Sequence, residues 1–381
     1  MTTRRSFMTI LGGGIVVAAA GGAFWANTRE PVGARRPWIE AGKDADDIRR
    51  TALSFAVLAP NPHNRQPWVA DLAEPGQITL FCQADRRLPE TDPFDRQITI
   101  GLGCFLELLA QAAAEHGHRA DIVLFPDGEP QPRLDARPVA RIRLEPDARA
   151  ARDPLFAQVL ARRSNKEPYD TGRAVTDADL AQIAAAPRTV RVGGTTDAAR
   201  VAALRDMAWQ ANYTEITTPR TLKESIDLMR IGRREIEANP DGIDLSGPFI
   251  EALALTGMLT RDAMMDPGSD AFAQQISILK APFDTAMAFQ WMTTAGNGRN
   301  EQIAAGRDYV RLNLAATAAG LSMHPFSQAL QEFPEMQPHV RALREALAIP
   351  DGETLQMFVR LGYGPDARPA PRWPYETRIR T

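Results

Sequence analysis

Ala59-Pro60-Asn61-Pro62-His63-Asn64-Arg65-Gln66-Pro67-Trp68 is the stretch of this 381-residue chain that says most about its fold. Its three prolines hold the backbone extended because each fixes its own φ, and the side chains between them offer amide and imidazole groups to a ligand. The stretch therefore predicts a rigid polar loop suited to a preorganised site. Composition alone equally allows a Pro-rich connection between a helix and a strand.

A second segment, Ala161-Arg162-Arg163-Ser164-Asn165-Lys166-Glu167-Pro168-Tyr169, places three cations and a hydroxyl within five residues. Guanidinium groups match phosphate bidentately, and Ser and Lys can add a hydroxyl bond and a point charge. The segment therefore has the chemistry for phosphate binding, with a solvated basic helix end as the alternative.

Together, the two segments resemble motifs of the nitroreductase family of flavoproteins. The first is similar to that family's Ala-Pro-Ser-x-x-Asn-x-Gln-Pro-Trp loop, with Asn61 in place of Ser, and the second to its Arg-Arg-Ser-x-Arg/Lys motif. The run from Gly306 to Leu321, followed by Met323-His324-Pro325, resembles the family's late helix and flavin-facing loop. Residues 359–364 resemble its closing strand, so the resemblance spans about residues 45–373.

The order of the two motifs is inverted relative to ordinary family members. There the Arg-Arg-Ser motif precedes the loop in a shorter chain, whereas here the loop comes roughly 100 residues earlier and each half of the chain retains one motif. Because family dimers build each flavin site at the subunit interface, the resemblance implies an α+β, nitroreductase-like fold. Two related halves would form an internal pseudo-dimer around one FMN, with mostly antiparallel sheets flanked by helices.

The resemblance also implies which residues bind the cofactor, from the phosphate motif, the facing loop, the flavin-facing strand and the basic C-terminal tail. They are Arg162, Arg163, Ser164, Lys166, Pro60, Asn61, Pro62, Asn64, Met323, His324, Arg368 and Arg372. A packing role is the alternative for His324, and surface charge for the two tail arginines. No catalytic side chain and no metal are implied, because the flavin carries the chemistry.

By the same resemblance, the protein is an FMN-dependent oxidoreductase that reduces a nitroaromatic, quinone or similar small-molecule acceptor by hydride or electron-pair transfer. The electron donor is open, since the chain has no GxGxxG dinucleotide fingerprint in a strand–helix context. The alternative is a non-catalytic protein that binds or sequesters FMN. We expect a monomer containing the internal pseudo-dimer, or a homodimer.

The N-terminus resembles a twin-arginine export signal, because Arg4-Arg5-Ser6-Phe7 leads into an uncharged, moderately apolar stretch that ends at Ala26. Twenty uncharged residues are also long enough to span a bilayer. We therefore expect export by the twin-arginine machinery to the periplasm, either free or anchored to the inner membrane. That route carries folded proteins, which favours a cofactor bound before export.

The pattern of apolar residues and turn signals organises the rest of the chain. It predicts helices over 44–58, 96–116, 154–163, 177–186 and 307–321, and strands over 77–83, 120–125, 139–144, 189–192 and 354–363. The domains are a signal or anchor (1–26), a tether (27–42), a first half (43–150) and a second half (151–375) with a lid at 220–290.

The composition excludes other classes of protein. A hydrophobic fraction of 44% rules out disorder, and a net charge of −3 without a basic block argues against a nucleic-acid partner. Cys82 and Cys104 are 22 positions apart, which fits neither a CxxC redox pair nor a zinc cluster. We expect both thiols to be buried apolar groups, with a disulfide as the alternative.

Overall fold

The computed structural model describes residues 30–43 and 46–380. The predicted export signal at 1–26 lies outside these ranges. In the described ranges the chain forms eleven β-strands and twelve α-helices. The strands are β1 (Trp68–Asp71), β2 (Gln77–Cys82), β3 (His118–Leu124), β4 (Ala140–Pro146), β5 (Arg191–Thr195), β6 (Met229–Ile231), β7 (Ile243–Leu245), β8 (Ala288–Thr294), β9 (Ser322–Pro325), β10 (Thr354–Gly362) and β11 (Ile379–Arg380).

The helices range from one turn to more than five turns. They are α1 (Pro37–Glu40), α2 (Ile48–Ala56), α3 (Arg96–Glu115), α4 (Asp177–Ala184), α5 (Ala198–Thr217), α6 (Pro219–Asp227), α7 (Gly232–Ala238), α8 (Pro248–Leu255), α9 (Arg261–Met265), α10 (Asp270–Asp284), α11 (Arg299–Ala318) and α12 (Gln337–Ala346). Helices and mostly antiparallel sheets together make this an α+β fold, as predicted.

The first sheet has the strand order β11-β1-β2-β4-β3. Its neighbours are antiparallel except for β11, which comes from the far end of the chain and pairs with β1 in parallel. Along β2, Ile78, Leu80 and Cys82 are buried and alternate with more exposed residues. This period of two is typical of a strand that rests one face on a core.

The second sheet has the order β5-β8-β10-β9, and all its neighbouring strands are antiparallel. Its central strands β8 and β10 are buried almost throughout. The rings of Phe289 and Phe358, on these two strands, stack with their centroids 4.8 Å apart. The sheet is therefore covered on both faces, whereas the outer face of the first sheet remains open.

Helices α3 and α11 are each 20 residues long and pack against each other between the sheets. Gly103 and Gly306 meet at the crossing, where a Cβ added to either would lie 2.9 Å from the Cα of the other. Only the absence of both side chains lets the backbones approach this closely. Within the described ranges, α3 also has the length and composition of a membrane span, yet it is mostly buried inside the protein.

The two helices are followed by matching features. Each leads to a glycine at positive φ, Gly117 (72°) or Gly320 (71°), and then to an edge strand, β3 or β9. Gly103 and Gly306 are 203 positions apart, and so are Gly117 and Gly320. The crossing and the turn therefore recur at one constant offset in the chain.

The segment from α6 to α10 lies between the strands of the second sheet along the chain. It contains five helices and a two-stranded parallel sheet of β6 and β7, packed around a small hydrophobic cluster of its own. Glu224 on α6 accepts hydrogen bonds from the backbone N–H groups of Glu90 and Thr91, both at 3.0 Å. The segment is therefore fastened to the first half of the chain.

Several predicted elements differ from the structure. Residues 154–163 form only a 3₁₀ turn, Pro154–Gln158, and no α-helix. The strand predicted at 189–192 begins later, at Arg191, because the backbone N–H groups of Thr189 and Val190 donate to the Asp308 carboxylate instead (2.6 and 3.0 Å). The helix predicted over 44–58 begins at Ile48, because Asp47 caps it by accepting from Arg49 N at 2.9 Å.

The predicted tether at 27–42 is wrong for its described part. Residues 33–40 fold into a 3₁₀ turn and α1, because Trp38 has an apolar place to pack and is only 5% exposed. Its indole N–H donates to the Ala370 carbonyl at 2.8 Å. The prediction for the cysteines is confirmed, since Cys82 and Cys104 are free and buried.

Candidate functional site

The loop quoted at the outset is strained. His63, Asn64 and Gln66 all have positive φ, at 45°, 50° and 50°. Non-glycine residues seldom adopt this conformation, and a cluster of them marks positions that the surrounding structure holds in place, often at functional sites. Gly101 on α3 makes room for the loop, since a Cβ there would lie 3.0 Å from the Cβ of Asn61.

Internal and long-range hydrogen bonds hold the strained loop. The Asn61 carboxamide oxygen accepts from the backbone N–H of Gln66 at 2.7 Å, so Asn61 closes the loop on itself. The buried Gln66 side chain donates to the Pro240 carbonyl at 2.7 Å and accepts from the Trp373 backbone N–H at 2.9 Å. Gln66 thereby connects the loop to the segment before β7 and to the C-terminal tail.

Three of the predicted arginines converge on one indole ring. The guanidinium carbons of Arg162, Arg163 and Arg372 lie 5.7, 4.7 and 5.5 Å from the ring of Trp38. Arg162 and Arg372 are buried, and both donate to the Leu58 carbonyl, at 3.0 and 3.3 Å. The structure therefore brings together the phosphate motif, the C-terminal tail and the end of the helix that precedes the Pro-rich loop.

No carboxylate of the described residues lies within ion-pair distance of any of these three arginines. Burial lowers the pKa of Arg162 to about 10. It lowers the pKa of Arg372 to about 9, with a contribution from the neighbouring cations Arg162 and Arg163. The Nε atoms of Arg162 and Arg372 are buried without a hydrogen-bond partner in the described part of the chain. Such uncompensated positive charge fits an anionic ligand.

Asparagine side chains orient the two buried arginines. Asn313 on α11 accepts from Arg162 at 3.0 Å, and Asn64 in the strained loop accepts from Arg372 at 2.6 Å. Asn64 also donates to the Pro371 carbonyl at 3.0 Å. The predicted binding residue Asn64 is thus a partner of the arginine cluster in this structure.

Lys166 and the two nearby histidines form the second part of the site. Lys166 is exposed to solvent, yet it is surrounded by enough protein to lower its pKa, with Asp244 acting in the opposite direction. Burial, with the cations Lys166 and Arg65, lowers the pKa of His63 to about 4. Burial, with Arg360 and Lys166, lowers the pKa of His324 well below its usual value. Both imidazoles are therefore neutral at pH 7.

The phosphate motif is joined to β9, which carries Met323 and His324. The backbone N–H of Asn165 donates to the Met323 carbonyl at 3.0 Å, and its side chain donates to Ser322 Oγ at 3.0 Å. Met323 itself is 1% exposed and lies in the core, so its side chain packs while its backbone positions the motif. Ser164 is half-buried beside these residues in sequence.

The remaining predicted residues have different surroundings. Pro60 is buried, and Pro62 begins the short 3₁₀ turn of the loop. Arg368 forms an exposed ion pair with Glu30 instead of joining the arginine cluster. It differs from Arg372 because Arg372 is drawn in by Asn64 and the carbonyls of residues 58 and 59. A separate surface cavity of about 780 Å³, lined by Asp71, Glu74 and their neighbours, contains none of the predicted site residues.

Several residues of the site were missed in the sequence. They are Trp38, Gln66, Asn313, Arg360 and Asp241. Asp241 binds Arg86 and Arg230, at 2.6 and 2.8 Å, and accepts from the Trp373 indole at 3.2 Å. Gln66 lies inside the Pro-rich loop, so the sequence could have identified it as a site residue. Asn313 and Arg360 lie within the runs 306–321 and 359–364 that resemble the family's late helix and closing strand, but they were not among the predicted binding residues. Trp38 and Asp241 lie outside every quoted motif and have no local signal.

Comparison with known proteins places the chain in a family. Over 343 residues, 87% of this chain and 89% of the relative, it is 30% identical to a Mycobacterium tuberculosis protein that bears the name NAD(P)H nitroreductase Rv3131. The chain belongs to the nitroreductase family. A shorter match, 36% identical over 81 residues, covers 21% of this chain and 24% of the M. tuberculosis protein named NAD(P)H nitroreductase acg.

No protein-family model matches this chain. Among solved structures, the FMN-dependent nitroreductase NfnB of Mycobacterium smegmatis in complex with NADPH is 20% identical, with a TM-score of 0.36 over 60% of this chain and 97% of NfnB. A nitroreductase with bound FMN from Desulfitobacterium hafniense is 14% identical, with a TM-score of 0.35 over 60% and 98%.

Proposed function

We propose that this protein binds one FMN and reduces a nitroaromatic, quinone or similar small-molecule acceptor by hydride or electron-pair transfer. The single observation that carries the proposal is the buried arginine cluster around Trp38, which has no carboxylate within ion-pair distance in the described ranges. The cluster contacts the strained polar loop through the hydrogen bond from Arg372 to Asn64. An anion-binding site therefore lies next to a preorganised ligand-binding surface.

The residues present fit the cofactor. Arg162 and Arg372 would hold its phosphate, since their Nε atoms are buried and unpartnered, and Arg163, Ser164 and Lys166 continue the same polar surface. Pro60, Asn61, Pro62 and Asn64 form the facing loop, and Met323 and His324 form the strand beside it. Bound FMN would supply the two-electron chemistry, while the chain binds, orients and shields it.

The constant offset between the two halves supports the proposed internal pseudo-dimer. Helices α3 and α11 cross at equivalent glycines and lead into equivalent turns and edge strands. The arginine motif is on the second half, at Arg162, and the strained loop is on the first half, at Asn64. A pair of fused halves with one motif each would hold one cofactor between them.

The electron donor and the location belong to the same proposal. Relatives bear the name NAD(P)H nitroreductase, whereas the Arg4-Arg5 signal favours export by the twin-arginine machinery to the periplasm, free or anchored to the inner membrane. Nicotinamide is not expected outside the cytoplasm. The alternative function, FMN binding without turnover, is favoured by the α6 to α10 segment, which is fastened beside the loop through Gln66 and Pro240.

The first experiment is an absorption spectrum of the purified protein, followed by anaerobic addition of NADH, NADPH or dithionite. Bleaching of a yellow protein by a nicotinamide, with turnover of a nitroaromatic or quinone, supports the reductase. Bleaching by dithionite alone favours another donor or a shielded flavin. A colourless protein that does not take up added FMN would refute the proposal.

The site assignment is tested with Arg162→Ala. Loss of a charge-assisted bond to phosphate costs about 1.5–3 kcal/mol, so the Kd for FMN should rise roughly 10- to 150-fold. Arg368→Ala is the matched control, because that arginine occupies an exposed ion pair with Glu30. Equal Kd values for wild type and Arg162→Ala would contradict the assignment.

A further inference from the structure

His324 and Arg360 face each other across two strands at the edge of the second sheet. They are register partners on β9 and β10, and Arg360 Nε donates to His324 Nδ1 at 3.3 Å. Arg360 is fully buried, at 0% exposure. No carboxylate of the described residues lies within ion-pair distance of it. The sequence places this arginine in an apolar strand, where nothing marks it as a site residue.

The other nitrogens of Arg360 are committed as well. Its two terminal nitrogens donate to the carbonyls of Pro282 (2.7 Å), Asn165 (3.1 Å) and Glu167 (2.8 Å). Its guanidinium carbon lies 3.8 Å from the centre of the Tyr169 ring. These contacts hold the guanidinium in one orientation, so its Nε–H group stays directed at the imidazole.

This contact fixes the state of the imidazole. Arg360 is a permanent donor, so Nδ1 of His324 must present a lone pair, and the proton of the neutral ring is then on Nε2. If the proton were on Nδ1, the ring N–H would point at the N–H of Arg360 Nε, and the two donors would repel each other. The charged groups that face the ring are both cations, Arg360 and Lys166, and they act with burial to keep the ring neutral. The ring edge meets Phe326 at 5.4 Å between centroids.

We infer that Arg360 is a positioning residue, which holds His324 as a neutral hydrogen-bond donor through Nε2–H toward a bound ligand. His324 Nε2 has no hydrogen-bond partner among the described residues, and the His324 side chain is half-buried. Arg360 also donates to the backbone carbonyls on either side of Lys166, so it positions both the imidazole and the phosphate motif. The inference rests on the proposed function for its ligand, an oxygen or nitrogen acceptor on FMN or on the acceptor substrate.

The tautomer is tested first, on the intact protein as isolated, with histidine labelled with ¹⁵N. Long-range ¹H–¹⁵N spectra between pH 5 and 8 report the protonation of each ring nitrogen, and His324→Gln assigns the signal. We expect His324 to carry its proton on Nε2 throughout, with no titration. A proton on Nδ1, or titration within this range, would overturn the inference, and neither result depends on FMN binding.

Variants then test the role of Arg360 and of the Nε2–H donor. In Arg360→Met nothing donates to Nδ1 any longer, so we expect the ¹⁵N spectra to show part of the His324 population with its proton on Nδ1, together with a higher FMN Kd or acceptor KM. In a substitution at position 324, the side-chain amide nitrogen of Gln would lie near the position of His324 Nε2. The amide nitrogen of Asn would lie near the position of Nδ1. His324→Gln should therefore keep the ligand affinity of the wild type, whereas His324→Asn should weaken it by about 2- to 10-fold.

The measured quantity identifies the ligand. A change confined to the FMN Kd assigns the donor to the cofactor, and a change confined to the acceptor KM assigns it to the substrate. Equal values in His324→Gln and His324→Asn for both quantities would overturn the donor role. If Arg360→Met does not fold, the wild-type spectra still decide the tautomer. If no FMN binds, the proposed function fails while the tautomer result stands.

Discussion

Gly306→Ala tests the crossing of helices α3 and α11. The added Cβ would lie 2.9 Å from the Cα of Gly103 and would press on the Ile100 carbonyl of α3. Carbon atoms pack best at about 3.5–4.0 Å, and the added Cβ would overlap the Ile100 carbonyl oxygen even more closely than the Cα of Gly103. The helices must therefore separate by at least roughly 1 Å along a contact between two 20-residue elements. The atoms that must yield are backbone atoms, which cannot change rotamer.

The magnitude follows from two opposing effects. Overpacking in a well-packed core costs about 1–3 kcal/mol, and the upper end applies here because only backbone can move. Alanine is favoured over glycine within a helix by about 1 kcal/mol, which offsets part of that cost. We therefore expect Gly306→Ala to lower the free energy of unfolding by about 2 kcal/mol.

Urea unfolding followed by far-ultraviolet circular dichroism measures this loss as a shift of the midpoint at constant m value. Gly296→Ala is the matched control, because its added Cβ would lie 3.6 Å from Glu301 Oε1, an ordinary contact. It should change stability by less than about 0.5 kcal/mol. The double variant Gly103→Ala/Gly306→Ala should cost less than the sum of the two single variants, since one separation of the helices relieves both clashes. Unchanged stability in Gly306→Ala, or strict additivity, would refute the reasoning.

Three further predictions concern other buried groups. Cys82 and Cys104 should resist a thiol reagent until the protein unfolds, because both are buried and burial raises the pKa of Cys82 to about 12; fast labelling of the native protein would contradict this. Asp241→Ala should lower the free energy of unfolding by about 3–5 kcal/mol, because it leaves the partly buried Arg86 and Arg230 without their carboxylate, and unchanged thermal unfolding would contradict it. Burial raises the pKa of Glu215 to about 7, so its contribution to stability is present below about pH 4.5 and is lost as pH rises through 7. Glu215→Gln should therefore gain stability relative to wild type between pH 5 and pH 8, measured by urea midpoints, whereas a constant difference would exclude Glu215 as the cause.

Local chemistry determined much of this molecule. The apolar run after Arg96 forms a buried helix of the expected length, and the alternation at 77–83 forms a strand with its apolar face inside. These features depend on periodicities of a few residues, so the sequence carries them directly. The Pro-rich loop was also predictable from the sequence, because its prolines and amide side chains occur within ten consecutive positions.

Two of the failures share one physical cause. Residues 154–163 were predicted to be a helix, yet they form a 3₁₀ turn followed by turns and irregular chain. There Arg162 donates to the Leu58 carbonyl and to Asn313, more than 100 positions away in each direction. The supposed tether folds because Trp38 packs among arginines from residues 162, 163 and 372. Partners so distant leave no local pattern.

The sequence by itself determined the α+β class, the two motifs and the family, because motif chemistry and short-range periodicity survive without knowledge of contacts. Only the tertiary structure decided that Arg372 joins Arg162 while Arg368 stays outside, and that Arg360 faces His324. These choices depend on which carbonyls and rings lie within about 3–4 Å of a guanidinium, the range over which hydrogen bonds and packing act. Such distances exist only after strands and helices from both halves have assembled.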